Sequence, residues 1–318
     1  MTTGSAGSRI VSLGHYQPST VLTNDDLAQM VDTSDEWIRT RVGIVERRIA
    51  EKESVADMAT AAAEKAIAGA GMTAADIDLV VVATCSAVDR VPNVATRVAA
   101  ALSIQAPGAY DINTACSGFS YALATTDHAI RAGAARHAVV IGAEKLTDFT
   151  DWTDRSSCIL FGDGAGAAVV TAAADGEPAG IGPVLWGSAP ERGDVVVITA
   201  NHPYITQEGQ TVFRWATTVL PGLAKQACEK AGVDPSELAA FIPHQANLRI
   251  IEPLGRKLGA HDAVVARDIT ESGNTSAASV PLAWSKLVER REIPSGAPVL
   301  LFGFGGGLTY AGQVVRSP

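Results

Sequence analysis

The chain resembles itself at a constant spacing of 161 residues, which is close to half of its 318-residue length. Short stretches of similar sequence recur at this spacing, and their matching positions are Gly71 with Gly232, Asn113 with Asn274, and Gly142 with Gly303. Self-similarity at a fixed period indicates a repeated structural unit. The sequence therefore predicts two similar halves.

Each half combines helical spacing with apolar runs that are typical of buried strands. Helical spacing marks the segments 54–69, 117–131, 212–231 and 277–289. Apolar runs lie at 77–83, 137–142, 166–171, 240–243, 298–304 and 308–315. We predict an α/β fold of two pseudo-symmetric halves stacked as layers of helix and sheet. The division is placed in the Ala-, Gly- and Pro-rich stretch 172–182, which gives halves 1–175 and 176–318 that form one catalytic unit.

Composition and charge argue against several classes of protein. Hydrophobic residues make up 47% and aromatic residues 5% of the chain, which suits helices packed closely on buried strands. A net charge of −9 argues against nonspecific nucleic-acid binding, because that binding needs clustered Lys and Arg. Residues 1–5 lack the basic start of a secretory signal, and no apolar run approaches the ~20 residues of a membrane span. We expect a cytoplasmic protein that binds no membrane.

The four cysteines are far apart and form no CxxC pair, so neither a metal site nor a disulfide framework is indicated. Cys116 has the local setting that best favours chemistry. It lies at a predicted turn from strand to helix, where unpaired amide N–H groups and the helix dipole favour a thiolate. A packed core thiol is the alternative at this stage.

Two further polar residues are expected near Cys116. His244 follows the predicted strand at 240–243, at the carboxyl end where open α/β sheets place their ligands. Asn274 opens the helix that the repeat pairs with the helix of Cys116, although a simple helix cap would also place asparagine there. Since the repeat brings both helix starts near one pseudo-axis, we predict that the three side chains converge.

Two glycine-rich motifs, at 161–166 and 302–307, precede predicted strands rather than helices. This order argues against a phosphate loop or a dinucleotide site. The second motif is better interpreted as a turn between strands whose bare amides approach a ligand. Such an amide, at Gly306, could form part of an oxyanion hole.

Together these motifs resemble the thiolase superfamily, and specifically its β-ketoacyl-acyl-carrier-protein synthase III family. The resemblance runs through nearly the whole chain and rests also on the segments 33–44, 154–166 and 243–250. It implies a thiolase-like, layered αβαβα core, a homodimer and the initiation of fatty acid biosynthesis. An acyl-CoA primer would acylate Cys116, with the amides of Cys116 and Gly306 as the oxyanion hole. His244 and Asn274 would then assist decarboxylation and condensation of malonyl carrier protein, without any cofactor.

The resemblance also implies residues that bind the substrates. Trp37 and Arg155 would stack on the adenine of CoA, and the remaining CoA contacts would be Thr33, Arg41, Gly209, Phe213, Asn247 and Arg249. Val91 would line the acyl pocket of the neighbouring subunit. A local basic patch would dock the acidic carrier protein, formed by Arg249, Arg256 and Lys257.

Departures from the family pattern leave other substrates and functions open. Gln210 stands where several relatives have asparagine, and the stretch 188–206 is short. A starter-unit synthase or acyltransferase of a polyketide pathway would keep the same reactive residues. A hydroxymethylglutaryl-CoA synthase would carry a glutamate base where this chain has Cys85. A non-catalytic partner subunit would have lost the nucleophile.

Overall fold

The computed structural model describes residues 7–318, so the expectation drawn from residues 1–5 lies outside the described part of the chain. The strands are β1 (Ser8–Tyr16), β2 (Thr20–Thr23), β3 (Glu46–Ile49), β4 (Leu79–Ala83), β5 (Gly108–Ile112), β6 (His137–Lys145), β7 (Asp163–Ala172), β8 (Leu185–Ser188), β9 (Val196–Thr199), β10 (His202–Gln207), β11 (Ala240–Pro243), β12 (Val264–Val265), β13 (Pro298–Gly305) and β14 (Thr309–Arg316). The helices are α1 (Asn24–Ala28), α2 (Asp35–Val42), α3 (Val55–Gly69), α4 (Val94–Ala101), α5 (Gly118–Arg131), α6 (Gly209–Thr218), α7 (Leu220–Ala231), α8 (Leu248–Leu258), α9 (Ile269–Ser272) and α10 (Ser279–Glu289).

Two five-stranded sheets have the same topology, as the repeat predicts. The first has the strand order β1-β7-β6-β4-β5 and the second the order β8-β14-β13-β11-β12. In both sheets the last three strands of these orders are parallel, and the first two are antiparallel to their neighbours. The strands of the first sheet lie within residues 8–172 and those of the second within 185–316.

Helices alternate with the two sheets to give five layers. α5 and α10 lie between the sheets and contact strands of both. α3 and α4 cover the outer face of the first sheet, while α7 and α8 cover that of the second. One hydrophobic core cluster joins buried residues of both halves, so the halves share a core and are not separate globules. This arrangement confirms the predicted layered α/β fold.

The prediction of a single helix over residues 212–231 is wrong, because the structure has two helices there. α6 ends at Thr218, and α7 begins at Leu220 with Pro221 in its first turn. Proline lacks the N–H that an uninterrupted helix would use at that position, but it is favoured in the first turn of a new one. None of the helices in residues 7–318 has the length and apolar character needed to cross a bilayer.

A matched pair of glycines brings the two halves together at the pseudo-axis. A Cβ at Gly142 of β6 would lie 2.4 Å from the Ala277 carbonyl oxygen of the second half. A Cβ at Gly303 of β13 would lie 2.9 Å from the Ser117 Cα of the first half. Each strand therefore lacks a side chain where the helix-entering turn of the other half packs on it.

Gly142→Ala is expected to lower the free energy of unfolding by about 1–3 kcal/mol, since the new methyl group would press on backbone that cannot rotate away. Denaturant unfolding would measure this. Gly222→Ala in α7 is the matched control, because a Cβ there has no neighbour within 4 Å and alanine favours the helix. Equal effects of the two substitutions would contradict the proposed tight packing.

Candidate active site

A cavity of about 1040 Å³ opens where the two helix-entering turns meet. It brings together most of the predicted site residues, since its lining includes Cys116, His244, Asn274, Gly306, Trp37, Arg41, Gly209, Phe213, Asn247 and Arg249. Gln210, one of the departures noted in the sequence, also lines it. The convergence that was inferred from the repeat is therefore present in the fold.

The two turns that enter this site are built alike. In the first half, the Asn113 side chain accepts a hydrogen bond from the N–H of Ala115 at 3.1 Å. In the second, the Asn274 Oδ1 accepts one from the N–H of Ser276 at 2.9 Å. Ala115 and Ser276 both have left-handed backbone, with φ of 48° and 47°, which is unusual for residues other than glycine. Strained turns of this kind cluster at functional sites, where they fix the direction of a side chain.

Cys116 follows the first of these turns and lies directly against the end of β13. A Cβ at Gly305 would be 2.6 Å from the Cys116 Cβ, so only glycine leaves room for this side chain. The backbone N–H groups of Cys116 and Gly306 lie near the sulfur and act to lower the pKa of its thiol. Both amides therefore lie beside the candidate nucleophile, and their role as an oxyanion hole stays a prediction.

The prediction that the helix start gives Cys116 a lowered pKa is wrong. Burial raises the pKa of the Cys116 thiol to about 11, and hydrogen bonds from Ser276 and the two amides only partly oppose this. The α-helix proper also begins two residues later, at Gly118, after a turn of 3₁₀ helix. The side chain is partly accessible because it lines the cavity, yet it is a neutral thiol at physiological pH.

His244 is buried, and its ring is held on two sides. Its Nδ1 lies 2.7 Å from the Ser279 Oγ, and its ring contacts Phe304 edge-on with 5.2 Å between centroids. The Ser279 Oγ already accepts a hydrogen bond from the N–H of Gln245 at 3.2 Å, so its own proton is free to be donated to Nδ1. The proton of the neutral imidazole then resides on Nε2. Burial lowers the pKa of His244 to about 3, which keeps the ring neutral at physiological pH.

Asn274 is fixed by its backbone and leaves one side-chain donor free. Its N–H donates to the Leu160 carbonyl at 2.8 Å, and its carbonyl accepts from the Gly162 N–H at 3.1 Å. Because its Oδ1 is used by Ser276, Nδ2 remains a donor without a protein partner within residues 7–318. His244 and Asn274 thus each present an N–H donor in the same cavity.

Cationic and aromatic side chains meet at the exposed end of the cavity. The guanidinium groups of Arg155 and Arg41 lie 5.0 and 5.6 Å from the Trp37 ring centroid. The Arg249 guanidinium lies 5.5 Å from the ring centroid of Phe213. Flat guanidinium and aromatic groups of this kind stack on nucleobases, and the positive charge attracts phosphate.

Five of the predicted binding residues do not line the cavity, and one of them, Arg155, lies against the ring of Trp37, which does. The Thr33 hydroxyl is buried without a hydrogen-bond partner in the described part of the chain. Arg256 and Lys257 are exposed in the last turn of α8, where the Lys257 amine donates to the Thr217 carbonyl at 2.7 Å. Val91 is 88% exposed, so it contributes nothing to the cavity of its own chain.

Sequence reasoning missed four residues beside the reactive groups. Ser276, Ser279 and Phe304 contact the predicted side chains, and Glu144 lies buried beside Cys85 with 3.3 Å between its Oε1 and the Cys85 sulfur. For Glu144 the sequence carried a signal, since a charged residue ends the apolar run at 138–143. No group of three or more His, Cys, Asp or Glu within residues 7–318 could hold a metal ion.

Comparison with known proteins gives consistent matches. The family model "3-Oxoacyl-[acyl-carrier-protein (ACP)] synthase III" matches residues 110–190, and the model of its C-terminal part matches residues 228–317. The chain is 64% identical over 313 residues to β-ketoacyl-[acyl-carrier-protein] synthase III 4 of Streptomyces coelicolor, which covers 98% of this chain and 99% of the relative. It is 44% identical over 328 residues to the synthase III of Streptomyces glaucescens, covering 99% and 98% of the two chains.

Solved structures show the same fold. The priming β-ketosynthase of the R1128 polyketide biosynthetic pathway matches with a TM-score of 0.97 at 39% identity, over 100% of this chain and 98% of the other. The 3-oxoacyl-[acyl-carrier-protein] synthase III of Aquifex aeolicus matches with a TM-score of 0.93 at 42% identity, over 98% and 100% of the chains.

These findings define a thiolase-type condensing enzyme, which is an acyltransferase. The chain belongs to the β-ketoacyl-[acyl-carrier-protein] synthase III family.

Proposed function

We propose that this enzyme condenses an acyl-CoA primer with malonyl carrier protein to give a β-ketoacyl carrier protein, and so initiates fatty acid biosynthesis. The observation that carries this proposal is the convergence of Cys116, His244 and Asn274 in one cavity with cationic and aromatic groups at its exposed end. Acyl-CoA acts as a substrate here, and the proposal requires no cofactor.

In the first half-reaction, the Cys116 sulfur attacks the thioester carbonyl of the primer. The N–H groups of Cys116 and Gly306 then stabilise the negative oxygen of the tetrahedral intermediate. CoA leaves as its thiol, and the acyl group remains on Cys116 as a thioester. Trp37, Arg41, Arg155 and Arg249 hold the nucleotide end during this step, with Thr33, Gly209, Phe213 and Asn247 as the remaining CoA contacts.

In the second half-reaction, malonyl carrier protein places its thioester carbonyl against His244 Nε2 and Asn274 Nδ2. As carbon dioxide leaves, charge builds on that carbonyl oxygen, and the two N–H donors stabilise it. The resulting carbanion attacks the acyl thioester of Cys116 and releases the product. Neutral His244 serves as a donor throughout, because its depressed pKa makes it a poor base.

Product analysis tests this proposal directly. The enzyme would be incubated with malonyl carrier protein and a panel of short straight, branched and long acyl-CoA primers, and the carrier-protein products identified by mass. We expect a β-ketoacyl product from at least one short primer. Failure of every primer would contradict the synthase assignment, and transfer to a non-malonyl acceptor would favour a starter-unit acyltransferase.

The assembly and location of the enzyme form part of the same proposal. β5 is an edge strand of the first sheet, and Val88 and Val91 in the loop between β4 and α4 are 71% and 88% exposed. An unpaired strand edge beside exposed apolar side chains is suited to pairing with a second copy, which supports a homodimer with Val91 at the acyl pocket of the partner. All four cysteines are free, as is usual in the reducing cytoplasm.

Carrier-protein docking is proposed at the start and end of α8. Arg249, Arg256 and Lys257 are exposed on this helix and supply local positive charge on a chain of net charge −9. An acidic carrier protein would approach such a patch by electrostatic steering. Arg249 also lines the cavity, so docking there would bring the carried thioester to its opening.

Trp37→Ala is expected to raise the KM for acyl-CoA about tenfold with little change in kcat, because the indole contacts only the nucleotide end. Steady-state kinetics with acyl-CoA measures this. An acyl-pantetheine thioester, which lacks the nucleotide, is the control substrate and should show the same KM with both proteins. An equal rise in KM for both substrates would mean that Trp37 stabilises the fold rather than binding the nucleotide.

A further inference from the structure

His244 and Asn274 must reach the same oxygen atom, although they belong to different elements of the second half. His244 follows β11, whereas Asn274 lies much further along the chain, just after α9. A hydrogen bond weakens steeply when its length or angle changes, so two donors serve one oxygen only at a fixed separation. Some part of the fold must therefore hold these two side chains at that separation.

Main-chain pairing in the second sheet ends before it reaches Asn274. β12 pairs with β11 over only two residues, after which the Ala266 N–H adds one bond to the Phe241 carbonyl at 3.0 Å. Between residues 267 and 274, no backbone hydrogen bond within the described part of the chain reaches β11 or His244. The backbone of Asn274 is bonded instead to the first half. The sheet alone therefore does not fix the two donors relative to each other.

The side chain of Gln245 bridges this gap. It is buried and does not itself line the cavity. Its Nε2 donates to the Pro243 carbonyl at 2.7 Å and to the Ala266 carbonyl at 3.3 Å. Its Oε1 accepts from the Ile269 N–H at 3.1 Å. Both amide hydrogens and the amide oxygen are thus used.

These three bonds join the strand that leads to His244 with the helix that leads to Asn274. Pro243 is the last residue of β11 and directly precedes His244. Ile269 begins α9, a single turn that is closed by the bond from the Gly273 N–H to the Ile269 carbonyl at 3.0 Å. Asn274 is the next residue. α9 therefore cannot shift relative to β11 without straining the bonds of the carboxamide.

The backbone of Gln245 holds His244 in a separate way. Its N–H donates to the Ser279 Oγ at 3.2 Å, and this hydroxyl lies 2.7 Å from His244 Nδ1. Because this contact uses only the main chain of Gln245, it is kept when the side chain is replaced. A substitution at this position therefore loosens α9 but leaves the contact that orients the imidazole.

We propose that Gln245 is a positioning residue whose carboxamide sets the separation of His244 and Asn274, so that both N–H groups reach the malonyl thioester oxygen at once. This inference rests on the proposed function, in which the two donors stabilise that oxygen during decarboxylation. Gln245 itself touches no substrate. Its effect is confined to the step that needs both donors, whereas acylation of Cys116 uses neither of them.

The test compares the wild-type enzyme with Gln245→Met, which keeps the length of the side chain but removes its amide. Carbon dioxide release from malonyl carrier protein measures decarboxylation. For acylation, labelled acyl-CoA is mixed with enzyme, the reaction is quenched, and the Cys116 adduct is quantified by mass. We expect decarboxylation to be about 10–100-fold slower, because small misplacements at a reacting centre have effects of this size. Acylation should change only a few-fold.

Two further backgrounds show whether Gln245 acts on the separation itself. In His244→Ala or Asn274→Ala only one donor remains, and the substrate oxygen can follow that donor wherever it lies. Adding Gln245→Met to either variant should therefore slow decarboxylation by less than about twofold more. A loss of the full size in either double variant would overturn the proposal, because Gln245 would then act on a single donor or on the whole fold.

Two more variants separate positioning from damage to the fold. Gln313→Met is the matched control, because Gln313 is another buried glutamine, which donates to the Gly182 carbonyl at 3.3 Å and does not line the cavity. It should change both half-reactions only a few-fold. Gln245→Glu has the size of glutamine but lacks the amide donors, and it carries the same test if Gln245→Met does not fold. Equal losses in both half-reactions, or equal losses in Gln245→Met and Gln313→Met, would overturn the proposal.

The wild-type enzyme separates failure of this inference from failure of the proposed function. If it neither releases carbon dioxide from malonyl carrier protein nor forms a β-ketoacyl product, the proposed function itself is wrong. If it does both, and the Gln245 variants decarboxylate at the wild-type rate, only the positioning role of Gln245 is wrong.

Discussion

Cys116→Ala is expected to give no acyl-enzyme and to lower the rate of condensation by at least about 10⁴-fold, because the covalent intermediate can no longer form. Incubation with labelled acyl-CoA, followed by peptide mass mapping, measures the first effect. Decarboxylation of malonyl carrier protein should persist, since its charge is stabilised by His244 and Asn274 rather than by the thiol. The substitution therefore separates the two half-reactions.

The matched control for this experiment is Cys85→Ala, which removes the other cysteine that lines the cavity. Burial and the charge of Glu144 raise the pKa of Cys85 well above its ordinary value, so this thiol is a poor nucleophile. Cys85→Ala should keep a stoichiometric adduct on Cys116. An adduct on Cys85, or any covalent acyl group in Cys116→Ala, would contradict the proposed mechanism.

The symmetry of the site could be predicted from the sequence because the repeat relates equivalent backbone positions. The pairing of Asn113 with Asn274 predicted that two similar helix starts would meet, and the structure has matching turns there. The paired glycines Gly142 and Gly303 were also visible, although their role in packing the opposite half on each strand needed coordinates. Pro221 was present in the sequence as a helix-breaking signal that the helical spacing outweighed.

The electrostatics of the site could not be predicted, because they depend on which distant segments enclose each group. The helix start at Cys116 suggested a lowered pKa, but burial and the charge of Glu144 raise it. Glu144 is 28 residues away from Cys116 along the chain, and Ser276, which acts to lower the pKa of Cys116, belongs to the other half. Local sequence shows neither the distant donors that face each group nor the water that folding removes.

Similar reasoning applies to the substrate-binding residues. Trp37 and Arg41 lie on α2 and Arg249 lies on α8, and family resemblance rather than any local pattern suggested them. The structure brings Trp37 and Arg41 within cation–π distance and places Arg249 over Phe213. Val91 is exposed on the single chain, so the pocket role proposed for it depends on a second copy of the chain.

His244→Ala is expected to slow decarboxylation of malonyl carrier protein by about 10²–10³-fold, because it removes one of two donors to the developing negative oxygen. Acylation of Cys116 should change only a few-fold, since His244 takes no part in it. Carbon dioxide release measures decarboxylation, and the quenched mass assay measures acylation. Similar losses in both half-reactions would contradict a role confined to the enolate.

Ser279 offers a second test, because its hydroxyl hydrogen-bonds to His244 Nδ1, and donation there would keep the ring proton on Nε2. Ser279→Ala should slow decarboxylation about tenfold, since the ring can then adopt the tautomer without a proton on Nε2. Ser279→Thr, which restores the hydroxyl, should recover most of the rate. The wild-type decarboxylation rate should show no break near pH 6.5, because His244 stays neutral down to its pKa of about 3. A break in the rate near pH 6.5 would show that His244 does not act as a neutral donor. Equal losses of rate in the alanine and threonine variants would show that the Ser279 hydroxyl does not control its tautomer.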